Sequence, residues 1–330
     1  MKKQTREIVL SGMRPTGRLH LGHYHGVLRN WLKLQEEHDC FFFVADWHAL
    51  TTEYATPESI RQSTREMVID WLSVGLNPSK ATFFIQSDIK EHAELYLLLS
   101  MITPLGWLER VPSYKDLQKE LTQKDLSTHG FLGYPLLQTA DIVLYNATKV
   151  PVGEDQVPHI ELAREVVRRF NFIYGETLVE PQPLLTNSPK LLGPDRRKMS
   201  KSYNNCLYLG DSADEIRRKV SEAITDPARQ RKSDPGNPDI CLIFDYHKLH
   251  SPSDLQNRIN EECRAAKIGC VEDKKRIIEI LNDFLEPIRK EKARLLEKPQ
   301  EIDLIIEEGE KKARQVAEAT MERIRKVMKI

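Results

Sequence analysis

Short apolar runs alternate with helical periodicities through the first half of the chain. Ile8-Val9-Leu10, Phe41-Phe42-Phe43-Val44-Ala45 and Ala81-Thr82-Phe83-Phe84-Ile85 are too short for buried helices. They are rich in β-branched and aromatic side chains, so they predict buried strands. Between and after them, helical patterns begin near Leu21, cover residues 57–74 with Pro57 tolerated in a first turn, and begin again near Glu91. Such alternation predicts an α/β fold, with a parallel sheet covered by helices. In these sheets ligands bind at the carboxyl ends of the strands, where strand order switches.

Residues 107–124 read as a charged helical insertion, and Ile160, Ala163, Val167 and Phe170 mark one apolar helix face. The proline-rich Pro181-Gln182-Pro183 is expected to end the alternation. Beyond Asp211 long charged helices dominate, broken at Asp234-Pro235-Gly236-Asn237-Pro238. The last helix aligns Ala313, Val316, Ala317, Thr320, Ile324 and Met328 on one stripe. Two domains are expected, over residues 1–205 and 206–330, with the last helix able to pack back on the first.

Composition narrows the class. The chain has 330 residues, 40% of them hydrophobic, enough for two cores. Lys plus Arg and Asp plus Glu both number 49, so any nucleic-acid surface must be local. The basic stretch Met1-Lys2-Lys3-Gln4-Thr5-Arg6 precedes only Ile8-Val9-Leu10, so no signal peptide is expected. No run approaches the ~18 apolar residues of a membrane span. Cys40, Cys206, Cys241, Cys263 and Cys270 are odd in number and widely spaced, unlike a secreted disulfide framework. A cytoplasmic enzyme with no membrane partner is expected.

Two segments carry the candidate chemistry. The first, Ser11-Gly12-Met13-Arg14-Pro15-Thr16-Gly17-Arg18-Leu19-His20-Leu21-Gly22-His23, lies between a strand and a helix. Its glycines let backbone approach a ligand, and His20 and His23 lie one turn apart. Imidazole donors beside a helix N-terminus suit phosphate oxygens. A metal reading of His20, His23 and His25 fits poorly, because Gly22 intervenes and no carboxylate partner is at hand. The second, Asp195-Arg196-Arg197-Lys198-Met199-Ser200-Lys201-Ser202, alternates ammoniums and hydroxyls that can stabilise charge on a leaving pyrophosphate.

This pair resembles the HIGH and KMSKS signatures of the class I aminoacyl-tRNA synthetases, and the resemblance covers nearly the whole chain. It implies a Rossmann-like catalytic domain that ends in the KMSKS loop, and an α-helical anticodon-binding domain. His20, His23, Lys198, Lys201 and Ser202 are then the catalytic candidates. Arg14, Pro15, Thr16, Gly22, His23, Gly153, Glu154, Asp155, Gln156, Lys198, Met199, Ser200, Lys201 and Ser202 are expected around ATP, with Mg2+ accompanying the phosphates. The alternative of a cofactor-making adenylyltransferase lacks a reason for both the full KMSKS loop and the long helical domain.

Tyr134, Gln138 and Asp141 are spaced to share a helix face, and a phenol, an amide and a carboxylate there suit an aromatic amino acid with a polar handle. Val150-Pro151-Val152-Gly153-Glu154-Asp155-Gln156-Val157-Pro158-His159-Ile160-Glu161-Leu162 resembles the adenylate-binding motif of the tryptophanyl branch. That resemblance places Gly12, His48, Tyr134, Gln138 and Asp141 around L-tryptophan, with Asp141 accepting from the indole N–H. It also implies tRNA(Trp) as partner and a homodimer, with residues 107–115 as its interface. Many bacterial tryptophanyl enzymes carry Asn where His23 stands, Gln for Arg14 and Met for Gln138. Gln138 moves the chain toward the tyrosyl pattern, which is the alternative.

Cys241, Cys263 and Cys270 resemble an iron–sulfur motif of some tryptophanyl enzymes, but Asp273 stands where its fourth cysteine would be. Such clusters normally take four thiolates, so an intact one is not expected. Arg229, Arg231 and Lys232 form a local basic cluster suited to phosphate contact or to a solvated loop.

Overall fold

A computed structural model describes residues 6–112, 114, 126–186, 191–226 and 229–330. Its centre is a five-stranded sheet formed by β1 (Ile8–Met13), β2 (Asp39–Val44), β3 (Ala81–Ile85), β4 (Lys149–Val152) and β5 (Gln182–Leu185). The order is β3-β2-β1-β4-β5 and every pairing is parallel. The order therefore reverses between β1 and β4, which makes the ends of those strands, at Met13 and Val152, the switch point.

β1 to β3 follow the apolar runs. β5 overturns the expectation that alternation stops at Pro181-Gln182-Pro183. Pro183 pairs with Val150 on the outermost strand, where a residue without an N–H costs no inner ladder bond. The helix Leu105–Glu109 opens the expected insertion, while residues 113 and 115–124 of it lie outside the described residues.

By its contacts the chain forms two compact units. The first contains the residues up to Gly17, those from Arg29 through β5, and those from Lys298 to the end. Its core stacks Trp31 on Phe42, with ring centroids 4.2 Å apart, beside Trp71 and Phe83. The C-terminal helix Pro299–Met328 lies against β3 and buries Ala313, Ala317, Thr320 and Ile324. Gly309 sets how close it comes, since a Cβ there would stand 1.7 Å from the Phe83 carbonyl oxygen. Gly309→Ala must push the helix off the strand. A loss of about 3 kcal/mol is expected, seen as a fall of several degrees in melting temperature; an unchanged melt would refute this packing role.

The second unit contains Arg18–Leu28 and the residues up to Glu297 that follow the first unit's sheet. Its helices are Ala213–Ser221, Leu242–His250, Ser253–Arg264 and Cys270–Leu296. This division differs from a single cut after residue 205. The reason is local pairing: Leu21 N–H donates to Leu207 O at 2.9 Å, and Leu209 N–H to Leu19 O at 3.0 Å. His20 and Tyr208 form an antiparallel bridge. The HIGH segment thus pairs with the residues just after KMSKS, and both fall in the helical unit.

Candidate active site

In the first unit, the helix His129–Leu144 delivers Tyr134, Gln138 and Asp141, as their spacing requires. It starts at Thr128, whose hydroxyl caps the Phe131 N–H, and it runs through Pro135. Asp141 is buried and gathers three donors. Gln86 Nε2 (2.8 Å) and His92 Nδ1 (2.7 Å) reach Oδ1, and His48 Nε2 (2.7 Å) reaches Oδ2. Burial works against the ionised form, but the charges and hydrogen bonds of His48 and His92 outweigh it and hold the carboxyl at about 2. Behind it, His92 Nε2 lies 2.8 Å from the Tyr145 hydroxyl. Burial, then Asp141 and Glu91, push that phenol well up, so Tyr145 stays protonated beside His92. A carboxylate offers about four acceptor positions. Oδ1 is satisfied twice and Oδ2 once, so one position remains, on Oδ2.

Tyr134 and Gln138 serve a neighbouring group rather than Asp141. His159 Nδ1 donates to Gln138 Oε1 at 2.6 Å, and Tyr134 Oη lies 3.4 Å from His159 Nε2. Burial, then the charge of His48, lower the His159 pKa to about 4, so its ring is neutral at pH 7. Gln86, His92, Tyr145 and His159 were not singled out from sequence as site residues. His159 sits inside the quoted Val150–Leu162 block and Tyr145 caps the helix that carries Asp141; Gln86 and His92 converge only once the segments after β3 pack on Asp141.

The turn after β1 holds Arg14, Pro15 and Thr16. Arg14 bonds to the Thr52 hydroxyl, and burial lowers its pKa against the pull of Glu53 and Tyr134. Gly12 is covered by the Phe43 ring, 2.5 Å from where a Cβ would stand. After β4, Gly153 leads a 3-10 turn over Glu154–Gln156, in which Gln156 Nε2 bonds Asp155 Oδ2 at 3.0 Å.

In the second unit the two histidines of the first motif cap their own helix. Gly22 N–H donates to His20 Nδ1 (3.1 Å), and His20 N–H to His23 Nδ1 (3.2 Å), a capping box built from imidazoles. Accepting at Nδ1 puts the ring protons on Nε2. Burial and then the Lys201 charge lower His20 to about 4. Burial, His20 and Lys201 hold His23 well below its ordinary value. Both rings are therefore neutral Nε2–H donors at pH 7. Gly22 is needed because a Cβ would stand 2.8 Å from the His20 ring.

The KMSKS loop is built around buried Met199 and Asn205. Met199 N–H donates to Leu191 O at 3.0 Å. Asn205 accepts from Ser200 N–H at 2.8 Å and donates to Asp195 Oδ1 at 2.7 Å. A left-handed Asn204 ends the 3-10 turn Lys201–Tyr203, and Ser200 and Ser202 hydroxyls lie 3.3 Å apart. Lys198 and Ser202 are exposed. Asn205 was missed from sequence; its role shows only when the loop folds around it.

The metal reading of the histidines finds no support. His20 and His23 use Nδ1 for the cap, and His25 Nε2 faces His250 Nε2 at 3.0 Å. Among the described residues no group of three or more His, Cys, Asp or Glu side chains is placed to hold a metal. The cysteine corner does not fit a cluster either. Asp273 Oδ1 lies 3.2 Å from buried His247 Nε2, and Arg229 Nη1 lies 3.7 Å from Cys263 Sγ and 3.9 Å from Cys270 Sγ. Arg229 also donates to Ile268 O and Lys232 O, so it is spent inside the fold, while Arg231 and Lys232 are exposed.

Comparison with known proteins gives the family. A family described as tRNA synthetases class I (W and Y) matches residues 2–286. The chain belongs to that family. The tryptophan–tRNA ligase of Thermotoga maritima is 51% identical, over 98% of this chain and 99% of its own. That of Aquifex aeolicus is 45% identical, over 98% and 99%. The crystal structure of the Campylobacter jejuni tryptophanyl-tRNA synthetase, complexed with ADP and tryptophan, is 34% identical with a TM-score of 0.89, covering 98% of this chain and all of that one.

Proposed function

We propose that the chain is a tryptophan–tRNA ligase. The carboxylate of L-tryptophan attacks the α-phosphorus of ATP, pyrophosphate leaves, and the acyl group passes from the adenylate to the terminal ribose of tRNA(Trp), releasing AMP. The observation that carries the amino-acid choice is Asp141: ionised, buried, held by three donors and left with one acceptor position on Oδ2. An indole N–H fills it. An analogue without a donor leaves a buried carboxylate short of a partner, which a site rejects strongly. The tyrosyl alternative is not favoured, since the full-length relatives described above act on tryptophan.

His20 and His23 donate from Nε2 to ATP phosphate oxygens. Lys198 and Lys201 balance charge on the pentavalent phosphorus and the leaving pyrophosphate, with Ser200 and Ser202 orienting its oxygens. Magnesium supplies charge neutralisation on the phosphates when ATP binds. Gly153 to Gln156 take the adenosine, with Arg14 and Thr16 beside ATP. Tyr134 and Gln138, tied through His159, shape the tryptophan pocket with Gly12 and His48. The helical unit reads the anticodon, with Arg231 and Lys232 available for tRNA phosphates. Two copies pair through residues 107–115, the segment that follows Leu97, Met101 and Leu105, which are more than half exposed. No helix among the described residues is long and apolar enough to cross a membrane.

The test is ATP–pyrophosphate exchange with each of the twenty amino acids. Exchange is expected with tryptophan; exchange with tyrosine alone would reverse the assignment.

A further inference from the structure

One polar contact in the helical unit is not used by this chemistry. His25 belongs to the π-helical turn Tyr24–Leu28, which directly follows the Leu21–His23 turn capped by His20 and His23. A π turn interrupts regular α-helical bonding and is held open by what packs on it. Here His25 is buried, and its Nε2 meets Nε2 of His250, the last residue of the helix Leu242–His250. The rings stand at 86°, so the contact is edge-on and directional. Phe284, from the helix Cys270–Leu296, packs edge-on against both His250 (4.8 Å) and Tyr24 (4.9 Å). The turn after the catalytic cap is thus held from two helices, once by an aromatic ring and once by a hydrogen bond.

An apolar pair would fill this place without cost of desolvation, whereas two imidazoles must be matched in tautomer and direction. One ring donates from Nε2 and the other accepts there. The return for that demand is orientation: the contact is directional and acts on the Tyr24–Leu28 turn, which directly follows His23.

We propose that His250 is a positioning residue for adenylate formation, acting through the Nε2 of His25 to fix the π turn and so the direction in which His20 and His23 donate. The proposal rests on the adenylate-forming reading above. Aligned donors act on the phosphate as it becomes pentavalent, so their misalignment falls on the chemical step rather than on tryptophan binding.

The experiment compares His250→Leu, His250→Asn and His250→Gln by tryptophan-dependent ATP–pyrophosphate exchange, with melting temperatures measured alongside. Gln places an amide nitrogen or oxygen where the His Nε2 was, while Asn ends one bond short. Leu and Asn are expected to lower kcat by about tenfold with KM for tryptophan within about twofold, and Gln to restore kcat to within about threefold. If Leu fails to fold, the contrast between Asn and Gln decides alone. Wild-type kcat in Asn would overturn the proposal, as would a loss in all variants that tracks melting temperature without rescue by Gln. Failure of the underlying reading is seen separately, as absence of exchange in the wild-type protein.

Discussion

Lys201→Ala is expected to slow tryptophanyl-adenylate formation by about 10²–10³-fold while leaving the Kd for tryptophan within about twofold. Lys201 lies in the 3-10 turn of the KMSKS loop, and its positive charge is felt at both His20 and His23. The ammonium and the two imidazole donors therefore address one small region. The charge there is largest when the α-phosphorus is pentavalent and pyrophosphate is departing. A preorganised cation contributes most at that moment and little to binding of a neutral indole. Rapid-quench single turnovers give the chemical step, and equilibrium titration gives the affinity. Equal losses in both would show that the loop only binds substrate. Losing the cation also removes one of the influences that lower the histidine pKa values, so His20 should titrate higher in the variant.

Asp141→Ala is expected to cost about 3–5 kcal/mol of stability, because His48, His92 and Gln86 lose a buried charged partner at once. Asp141→Asn keeps the volume but presents an N–H₂ to groups that all donate. It should fold less stably than wild type and lose tryptophan-dependent exchange by about 100-fold or more. The acid side of the stability curve gives an independent reading. The Asp141 pKa is depressed in the folded protein to about 2, below its unfolded value near ~4. Its stabilisation is therefore complete above the unfolded pKa and is lost as pH falls toward about 2. Urea unfolding of wild type between pH 5 and pH 2, repeated on Asp141→Asn, should show a drop in the first that is reduced in the second. Parallel curves would mean that Asp141 is not the ionised centre of this network.

Local pattern carries part of this site and stops where pairing begins. β1, β2 and β3 were legible because their apolar runs are bounded by turn residues. Asp141 was legible because its helix is apolar and a carboxylate within it needs a reason. β5 was hidden by Pro183, which reads as a breaker until the strand is seen to lie at the sheet edge. Gln86 and His92 look unremarkable in sequence, because their partner is 55 and 49 residues away. The division into units was illegible for a similar reason. Arg18–Leu28 joins the helical unit through backbone bonds to Leu207 and Leu209, and no side-chain pattern announces such bonds. Tyr134, Gln138 and Asp141 do share a helix face, yet the first two answer to His159.

The imidazole capping box has a consequence for how the signature can vary. His23 contributes to the cap only an acceptor at Nδ1, aimed at the His20 amide. An asparagine carries its side-chain oxygen where a histidine carries Nδ1, so it could accept from the same amide. An asparagine at this position would thus satisfy the same local grammar with a different word. His20 has a stricter assignment, since its ring must accept from Gly22 and stand 3.9 Å from the His23 ring while still offering Nε2–H outward. Of the two, the first histidine is the letter that the geometry demands, and the second is the one it would let drift.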